Sequence, residues 1–136
     1  MTSLSRGEIY YINFPYTDDM RYPDGKKKFV LILQEGDYFQ YYEDVVVLLV
    51  TTDKDCGRYP TNVLIPLNST KLSQVSWIAC AQPYPIDKSL FESPDCWCAG
   101  KVSPAKMDEV DRALFLGLCM GAQHETEAEN SIPIEA

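Results

Sequence analysis

The chain lacks a histidine pair, an excess of positive charge and any long apolar run. Its single histidine, His124, stands among glutamates near the C-terminal end, where we expect it to be solvated rather than catalytic. No apolar run approaches the roughly 20 residues that cross a bilayer, so a membrane protein is not expected. Residues 1–6 contain no apolar signal region, and secretion is not expected either.

The cysteines are few and odd in number: Cys56, Cys80, Cys96, Cys98 and Cys119. A disulfide scaffold is not expected in a chain without a signal peptide, so a reducing cytoplasm is the predicted compartment. Cys96 and Cys98 are the one closely spaced pair. Without a second pair or neighbouring histidines, they do not predict a metal site.

Negative charge dominates, with 20 acidic against 12 basic residues and a net charge of −8. This balance argues against a protein that holds nucleic acid by bulk electrostatics. Four glutamates fall in residues 123–136, which contain no lysine or arginine, so residues 1–122 carry 12 basic and 16 acidic side chains. The densest positive cluster is Arg21, Lys26, Lys27 and Lys28. A basic groove on an acidic protein is possible because a cleft focuses the potential of its own charges.

The length of 136 residues fits a single domain. We expect that domain to occupy residues 1–122, without internal repeats. Residues 123–136, acidic and rich in small side chains, are predicted to form a flexible tail.

Apolar runs bounded by turn residues predict six strands. The predicted strands cover residues 8–14, 29–33, 45–50, 62–66, 75–81 and 97–102. Pro15 ends the first strand, and the turn-forming pair Asp24-Gly25 precedes the second. Residues 45–47 are three consecutive valines, which favour a strand buried on both faces.

One helix is predicted at the C-terminal end of the domain. Ser103 is a favoured N-cap residue and Pro104 suits the first helical position, so the helix begins there and runs to about Met120, ending at Gly121. Its apolar stripe, which we expect to pack on the sheet, is Met107, Val110, Leu114 and Leu118. Short strands followed by one helix indicate a small, strongly curved barrel with the helix against it.

Five segments in this order resemble one family. Residues 7–18 read GEIYYINFPYTD, 25–33 GKKKFVLIL, 44–52 DVVVLLVTT, 81–90 AQPYPIDKSL and 103–111 SPAKMDEVD. Over residues 6–121 the chain resembles the MazF/PemK toxins of bacterial toxin–antitoxin pairs. The resemblance implies a mainly β fold of the CcdB/Kid/MazF type, an SH3-like curved β-barrel with a C-terminal helix, and a homodimer formed through the sheet. It also implies a metal-independent endoribonuclease without cofactors, which cuts single-stranded mRNA at short specific sequences, leaves 2′,3′-cyclic phosphate ends and is neutralised by a cognate antitoxin.

The resemblance assigns catalysis to Lys28 and Thr51. Family members usually have an arginine followed by proline just before the second strand, where this chain has Lys28 and Phe29. Lysine brings positive charge to a phosphorane but lacks the planar fork of arginine, so Lys27 or Arg21 is an alternative source of charge. Thr51 falls on the family's threonine at the end of the third strand, although threonine is also an ordinary strand residue.

Further residues are predicted to contact RNA. Three aromatic residues flank the basic loop and suit stacking on bases: Phe14, Tyr16 and Tyr22. For Phe14 a place in the core is the alternative. The basic side chains Arg21, Lys26 and Lys27 suit the RNA backbone, and Gln82 falls on a family position close to the active groove. Asp87 is predicted to cap a short helical turn.

A second function stays open. Since lysine replaces the family's arginine and the chain is acidic, the chain is alternatively a catalytically degenerate member that binds nucleic acid or a partner protein without cleavage. A gyrase-poisoning toxin of related fold relies on a tryptophan at its extreme C-terminus, but no tryptophan follows Trp97 here.

Overall fold

A computed structural model describes residues 3–16, 20–36 and 39–119. This part of the chain contains seven strands and one α-helix. The strands are β1 Glu8–Phe14, β2 Lys26–Ile32, β3 Asp44–Thr51, β4 Asn62–Ile65, β5 Ser76–Ala79, β6 Tyr84–Asp87 and β7 Trp97–Lys101, followed by α1 Pro104–Gly117. Short 3-10 helices cover Phe39–Tyr41, Lys54–Arg58 and Lys88–Glu92. The predicted mainly β architecture with a C-terminal helix is therefore confirmed.

All strand pairs are antiparallel, in the order β4-β5-β3-β2-β1-β7. Strand β6 also pairs with β3, next to β5 along the same edge. Strand β3 is therefore the centre of the sheet, with β2 on one side and both β5 and β6 on the other.

The two faces of the sheet bury separate hydrophobic clusters, because alternate side chains of a strand point to opposite faces. The first cluster includes Ile9, Leu31, Leu48, Ile78 and the helix residues Met107 and Val110. The second includes Tyr10, Ile12, Phe14, Val30, Val47 and Phe91. Strand β3 contributes to both clusters, so its predicted burial on both faces is confirmed.

Helix α1 begins as predicted and ends earlier. The Ser103 hydroxyl accepts a hydrogen bond from the backbone N–H of Lys106 at 3.1 Å, with Pro104 in the first turn. The helix ends at Gly117, because Cys119 adopts a left-handed backbone with φ of 58°. The predicted end at about Met120 is therefore about three residues too late, and Met120 and Gly121 themselves lie outside the described residues.

The buried stripe of the helix is also shifted. Met107 and Val110 are buried as predicted and Leu114 packs against the same cluster, but Leu118 is 42% exposed. Ala113, which is not part of the predicted stripe, is buried. A small side chain suits the side of the helix that contacts the sheet most closely.

Two strands differ from prediction. Strand β6 was not predicted, because Pro83 and Pro85 indicate a loop, but it pairs with β3 from Tyr84 to Asp87. Strand β2 begins at Lys26 instead of Phe29, because the hairpin ladder with β1 continues to the pair Phe14–Lys26.

The short turn predicted after β6 is present. Asp87 precedes the 3-10 helix Lys88–Glu92, and its carboxylate accepts a hydrogen bond from the backbone N–H of Ser89 at 2.8 Å. Hydrogen bonding from Ser89 lowers the pKa of Asp87. The capping role of Asp87 is confirmed.

None of the five cysteines, all in the described part of the chain, forms a disulfide. Among the described residues no helix has the length and apolarity to cross a bilayer. Residues 123–136, including His124, lie outside the described ranges, and the domain boundary at 122 stays a prediction.

Candidate active site

Strand register brings Lys28 and Thr51 together. Phe29 of β2 pairs with Val50 of β3, and the chains run antiparallel. Lys28 precedes Phe29 and Thr51 follows Val50, so these two residues flank the last pair of this ladder, and the register continued by one step sets them opposite each other. Residues directly opposite in neighbouring strands carry their side chains on the same face. The ammonium group and the hydroxyl therefore share one face at one end of β2 and β3.

Lys28 belongs to a strand rather than to the loop before it. It pairs with Ile12 of β1, so its side chain lies on the face that buries Ile12 and Val30. Lys28 is half-buried, and within the described residues its side chain forms no hydrogen bond or ion pair. A lysine held beside apolar side chains and without a carboxylate partner is available to an anionic ligand.

The hydroxyl of Thr51 is held in place by the backbone. The N–H of Asp53 donates a hydrogen bond to the Thr51 Oγ1 atom at 3.1 Å. On its other side Thr51 pairs with Trp77 of β5. Because the oxygen already accepts one hydrogen bond, its own hydrogen points elsewhere and suits donation to a phosphate oxygen.

A row of four aromatic rings continues from the same face. Phe14 contacts Tyr84 with ring centroids 5.2 Å apart and Tyr16 with centroids 5.0 Å apart. Tyr16 in turn contacts Tyr22 at 5.6 Å. The row links β6, the end of β1 and the loop before β2.

Two basic side chains lie at the end of this row that Tyr22 forms. The Lys26 ammonium is 4.8 Å from the ring centroid of Tyr22 and donates a hydrogen bond to its hydroxyl at 3.3 Å. The Arg21 guanidinium is 5.4 Å from the same centroid. We name this surface the basic aromatic face, which consists of Tyr16, Arg21, Tyr22, Lys26, Lys28, Thr51 and Tyr84.

Gln82 borders the basic aromatic face. Its side-chain oxygen accepts a hydrogen bond from the Tyr84 hydroxyl at 3.5 Å. Sequence reasoning missed Tyr84 as a site residue. The only signal was its place in the segment shared with the family, since its contact with Phe14 depends on the pairing of β6 with β3.

Two residues that are predicted to contact RNA do not belong to the basic aromatic face. Phe14 is 3% exposed, so its ring supports Tyr16 and Tyr84 instead of offering a surface to a base. Lys27 lies on the opposite face of β2 from Lys26 and Lys28, where it forms an ion pair with Asp95 at 3.5 Å. The structure does not place Lys27 where it could replace Lys28.

Two clefts lie on either side of the 3-10 helix Lys88–Glu92, which contributes residues to both. A cleft of about 550 Å³ beside Tyr16 is lined by residues of the loop between β1 and β2, together with Asn13 and Leu90. A larger cleft of about 770 Å³ lies at the start of β3 and is lined by four carboxylates: Glu35, Glu43, Asp87 and Glu92. The larger cleft carries four carboxylates and one lysine, Lys88, whereas the cleft beside Tyr16 carries one carboxylate, Asp24, so the cleft beside Tyr16 repels phosphate less.

Two of the thiols, Cys80 and Cys96, are unsuited to act as nucleophiles. Burial raises the pKa of the Cys80 thiol to about 12 and also raises the pKa of Cys96. Both are therefore protonated at neutral pH and unsuited to attack. Among the described residues no three metal-binding side chains are grouped to hold a metal ion.

The fold and the site together define a class: a small antiparallel sheet with one C-terminal helix, carrying a lysine, a threonine hydroxyl and stacked aromatic rings on one face. The chain belongs to the family of PemK-like, MazF-like toxins of type II toxin–antitoxin systems, whose model matches residues 5–118. The resemblance seen in the sequence is thereby confirmed.

Solved structures of this kind are similar to the chain. An endoribonuclease from a mycobacterial species, in complex with its cognate antitoxin, has a TM-score of 0.66 and 21% identity, covering 87% of this chain and 97% of that chain. MazF from Deinococcus radiodurans has a TM-score of 0.65 and 18% identity, with coverage of 88% and 100%. A MazE–MazF complex from the same organism has a TM-score of 0.65 and 18% identity, with coverage of 88% and 99%. At such identities the likeness shows the fold, and the predicted toxin fold is confirmed. No curated protein sequence matches the chain.

Proposed function

We propose that this toxin is a metal-independent endoribonuclease that cuts single-stranded mRNA at short specific sequences, with Lys28 and Thr51 at the reacting phosphate. One observation supports the proposal: Lys28 and Thr51 flank the pair Phe29–Val50, so in a continued register their side chains lie on the same face of the sheet. Family membership and the likeness to a mycobacterial endoribonuclease support it.

Cleavage requires the ribose 2′-hydroxyl to attack the adjacent phosphorus while the bond to the 5′-oxygen breaks. The 2′-hydroxyl loses its proton to solvent, and a 2′,3′-cyclic phosphate forms. Thr51 donates a hydrogen bond to a non-bridging phosphate oxygen. Lys28 neutralises the charge that develops on the phosphorane and supplies a proton to the departing 5′-oxygen.

The aromatic rings hold the RNA strand. Tyr16, Tyr22 and Tyr84 offer ring surfaces to bases, and each stacked base contributes about 1 to 3 kcal/mol. Lys26 and Arg21 lie beside Tyr22 and contact neighbouring phosphates. Gln82 contacts a base edge or the backbone at the border of this surface.

The proposed partners follow from the family. A cognate antitoxin neutralises the toxin, and the similar mycobacterial endoribonuclease is in complex with its cognate antitoxin. The compartment is the cytoplasm, where mRNA is found. The chain forms a homodimer through the sheet. Support comes from Trp97, which is 44% exposed and stacks against Tyr11 and Phe29 at centroid distances of 5.8 and 5.6 Å. A monomer at micromolar concentration by light scattering would contradict this.

The test is incubation of the purified protein with a long unstructured RNA in EDTA. We expect cleavage at a small set of sites, with 2′,3′-cyclic phosphate ends detected by mass spectrometry. RNA that stays intact at micromolar protein would overturn the proposal.

Replacement of the family's arginine by Lys28 supports a second candidate, a degenerate member that binds nucleic acid without cutting it. In that case the RNA is bound tightly and stays intact, and binding is lost when Lys26 and Lys28 are replaced by glutamine. An added experiment separates the two candidates: Lys28→Arg gains cleavage only if the rest of the site is competent.

A further inference from the structure

The last residue of α1 lies next to the segment that joins β5 to β6. A Cβ atom placed on Gly117, the last residue of α1, would lie 3.0 Å from the Cα atom of Ala81. Ala81 precedes Gln82, whose side chain accepts the hydrogen bond from Tyr84. The described part of the chain therefore ends near Gln82, which borders this surface, while α1 itself packs on the other face of the sheet.

The charges of the segment and of the surface are opposite. Residues 120–136 contain no lysine or arginine and four glutamates: Glu125, Glu127, Glu129 and Glu135. The basic aromatic face carries Lys26 and Lys28, and neither forms an ion pair within the described residues. Carboxylates and phosphates present the same kind of acceptor oxygen to an ammonium group.

The segment is long enough to cross the surface. At about 3.3 Å per residue, residues 120–136 span up to roughly 55 Å when extended. A domain of about 120 residues is only about 35 Å across. Covalent attachment also gives the segment an effective concentration in the millimolar range, so weak contacts suffice for binding.

We propose that residues 120–136 bind the basic aromatic face of their own chain and compete with RNA for it. The glutamates take the places of phosphates beside Lys26 and Lys28, so the segment lowers the affinity of the toxin for RNA. Competition with RNA rests on the proposed function, whereas binding of the segment to the surface does not.

The first test replaces charge within the full-length chain. In one variant the segment is neutral, with Glu125, Glu127, Glu129 and Glu135 changed to glutamine. A matched control loses the same four charges elsewhere, through Glu35→Gln, Glu43→Gln, Glu92→Gln and Asp108→Asn. These four side chains are exposed, and three of them line the cleft at the start of β3. The probe is a fluorescent single-stranded RNA with 2′-O-methyl riboses, which binds without being cut.

We expect the neutral segment to tighten RNA binding about tenfold at low salt, because several exposed charge pairs are lost, with the difference shrinking as salt screens them. The matched control should change binding by less than about twofold, because exposed charges that do not belong to the basic aromatic face are screened. Equal binding of the neutral-segment variant and the wild type would overturn the proposal. An equal gain in both variants would also overturn it, because the effect would then be one of net charge.

A second measurement separates this proposal from the proposed function. A peptide of residues 120–136 is added to the neutral-segment variant, and its binding is measured by calorimetry without RNA. Binding that is lost on Lys28→Gln supports the proposal even if no variant binds or cuts RNA. No heat at millimolar peptide would overturn it even if the toxin cuts RNA.

Discussion

The backbone N–H of Asp53 donates a hydrogen bond to the hydroxyl oxygen of Thr51 at 3.1 Å. This contact turns the Thr51 hydrogen away from the turn after β3 and leaves it free to donate to a ligand. The backbone that follows β3 therefore holds the Thr51 hydroxyl oxygen in position.

Removal of the Thr51 hydroxyl should abolish most cleavage. We expect Thr51→Val to lower kcat about 100-fold, because one donor to the developing negative charge is lost. Thr51→Ser keeps the donor and should retain most activity. The matched control is Thr52→Val, at an exposed neighbouring position, which should cleave like the wild type. Gel-based kinetics on a defined RNA measure all four proteins, and equal loss in both valine variants would contradict this role.

The charge of Lys28, rather than the charge of its neighbour, should matter for cleavage. We expect Lys28→Gln to lower kcat by about 100- to 1,000-fold through loss of charge stabilisation, while Lys28→Arg retains most activity. Lys27→Gln serves as the control, because Lys27 faces the other way and pairs with Asp95, and it should change the rate less than about threefold. A larger loss from Lys27→Gln would place the catalytic charge on the opposite face.

The Tyr22 ring should contribute to RNA affinity. We expect Tyr22→Ala to weaken binding of the 2′-O-methyl RNA by about 1 to 3 kcal/mol, since a stacking surface is lost. Tyr22→Phe keeps the ring and should bind almost as well, although the hydrogen bond from Lys26 is gone. Tyr41→Ala is the control, because Tyr41 is 77% exposed and lines the acidic cleft. Fluorescence anisotropy gives the affinities, and similar losses for Tyr22→Ala and Tyr41→Ala would argue against a stacking role.

Gly25 should be required for the turn that leads into β2. Its φ is +86°, and a Cβ atom there would lie 2.7 Å from the carbonyl oxygen of Phe14. We expect Gly25→Ala to lower the free energy of unfolding by about 2 to 4 kcal/mol, from backbone strain and a steric clash together. Gly36 also has a positive φ but open space around it, so Gly36→Ala should cost about 1 to 2 kcal/mol. Urea denaturation measures the free energy of unfolding of both variants. Equal losses would show that the added methyl group at position 25 does not clash with the Phe14 carbonyl oxygen.

Local patterns predicted much of the fold. Strand β1 was predicted over residues 8–14 and found there, since apolar alternation and Pro15 define it within one stretch of chain. The start of α1 was also correct, because the Ser103 cap and Pro104 act on their own neighbours. By contrast, β6 was missed because Pro85 reads as a strand breaker, yet at an outer strand its missing N–H is tolerated.

The site was predicted less completely, because its residues come from distant parts of the chain. Neither the partner of Lys28 nor the exposure of Phe14 is visible before the strands pair. The residues next to Tyr84 in the sequence do not mark it as a site residue. Its contact with Phe14 exists only because β6 lies along β3.

The sequence alone determined the family, the class of fold, most strand positions and the residue types available for chemistry, since these depend on local propensity and on motif order. Only the tertiary structure decided that Lys28 and Thr51 lie on the same face of the sheet and that Lys27 is on the other face. The physical reason is register: side chains alternate along a strand, so which residues meet depends on hydrogen bonds between segments far apart in the chain.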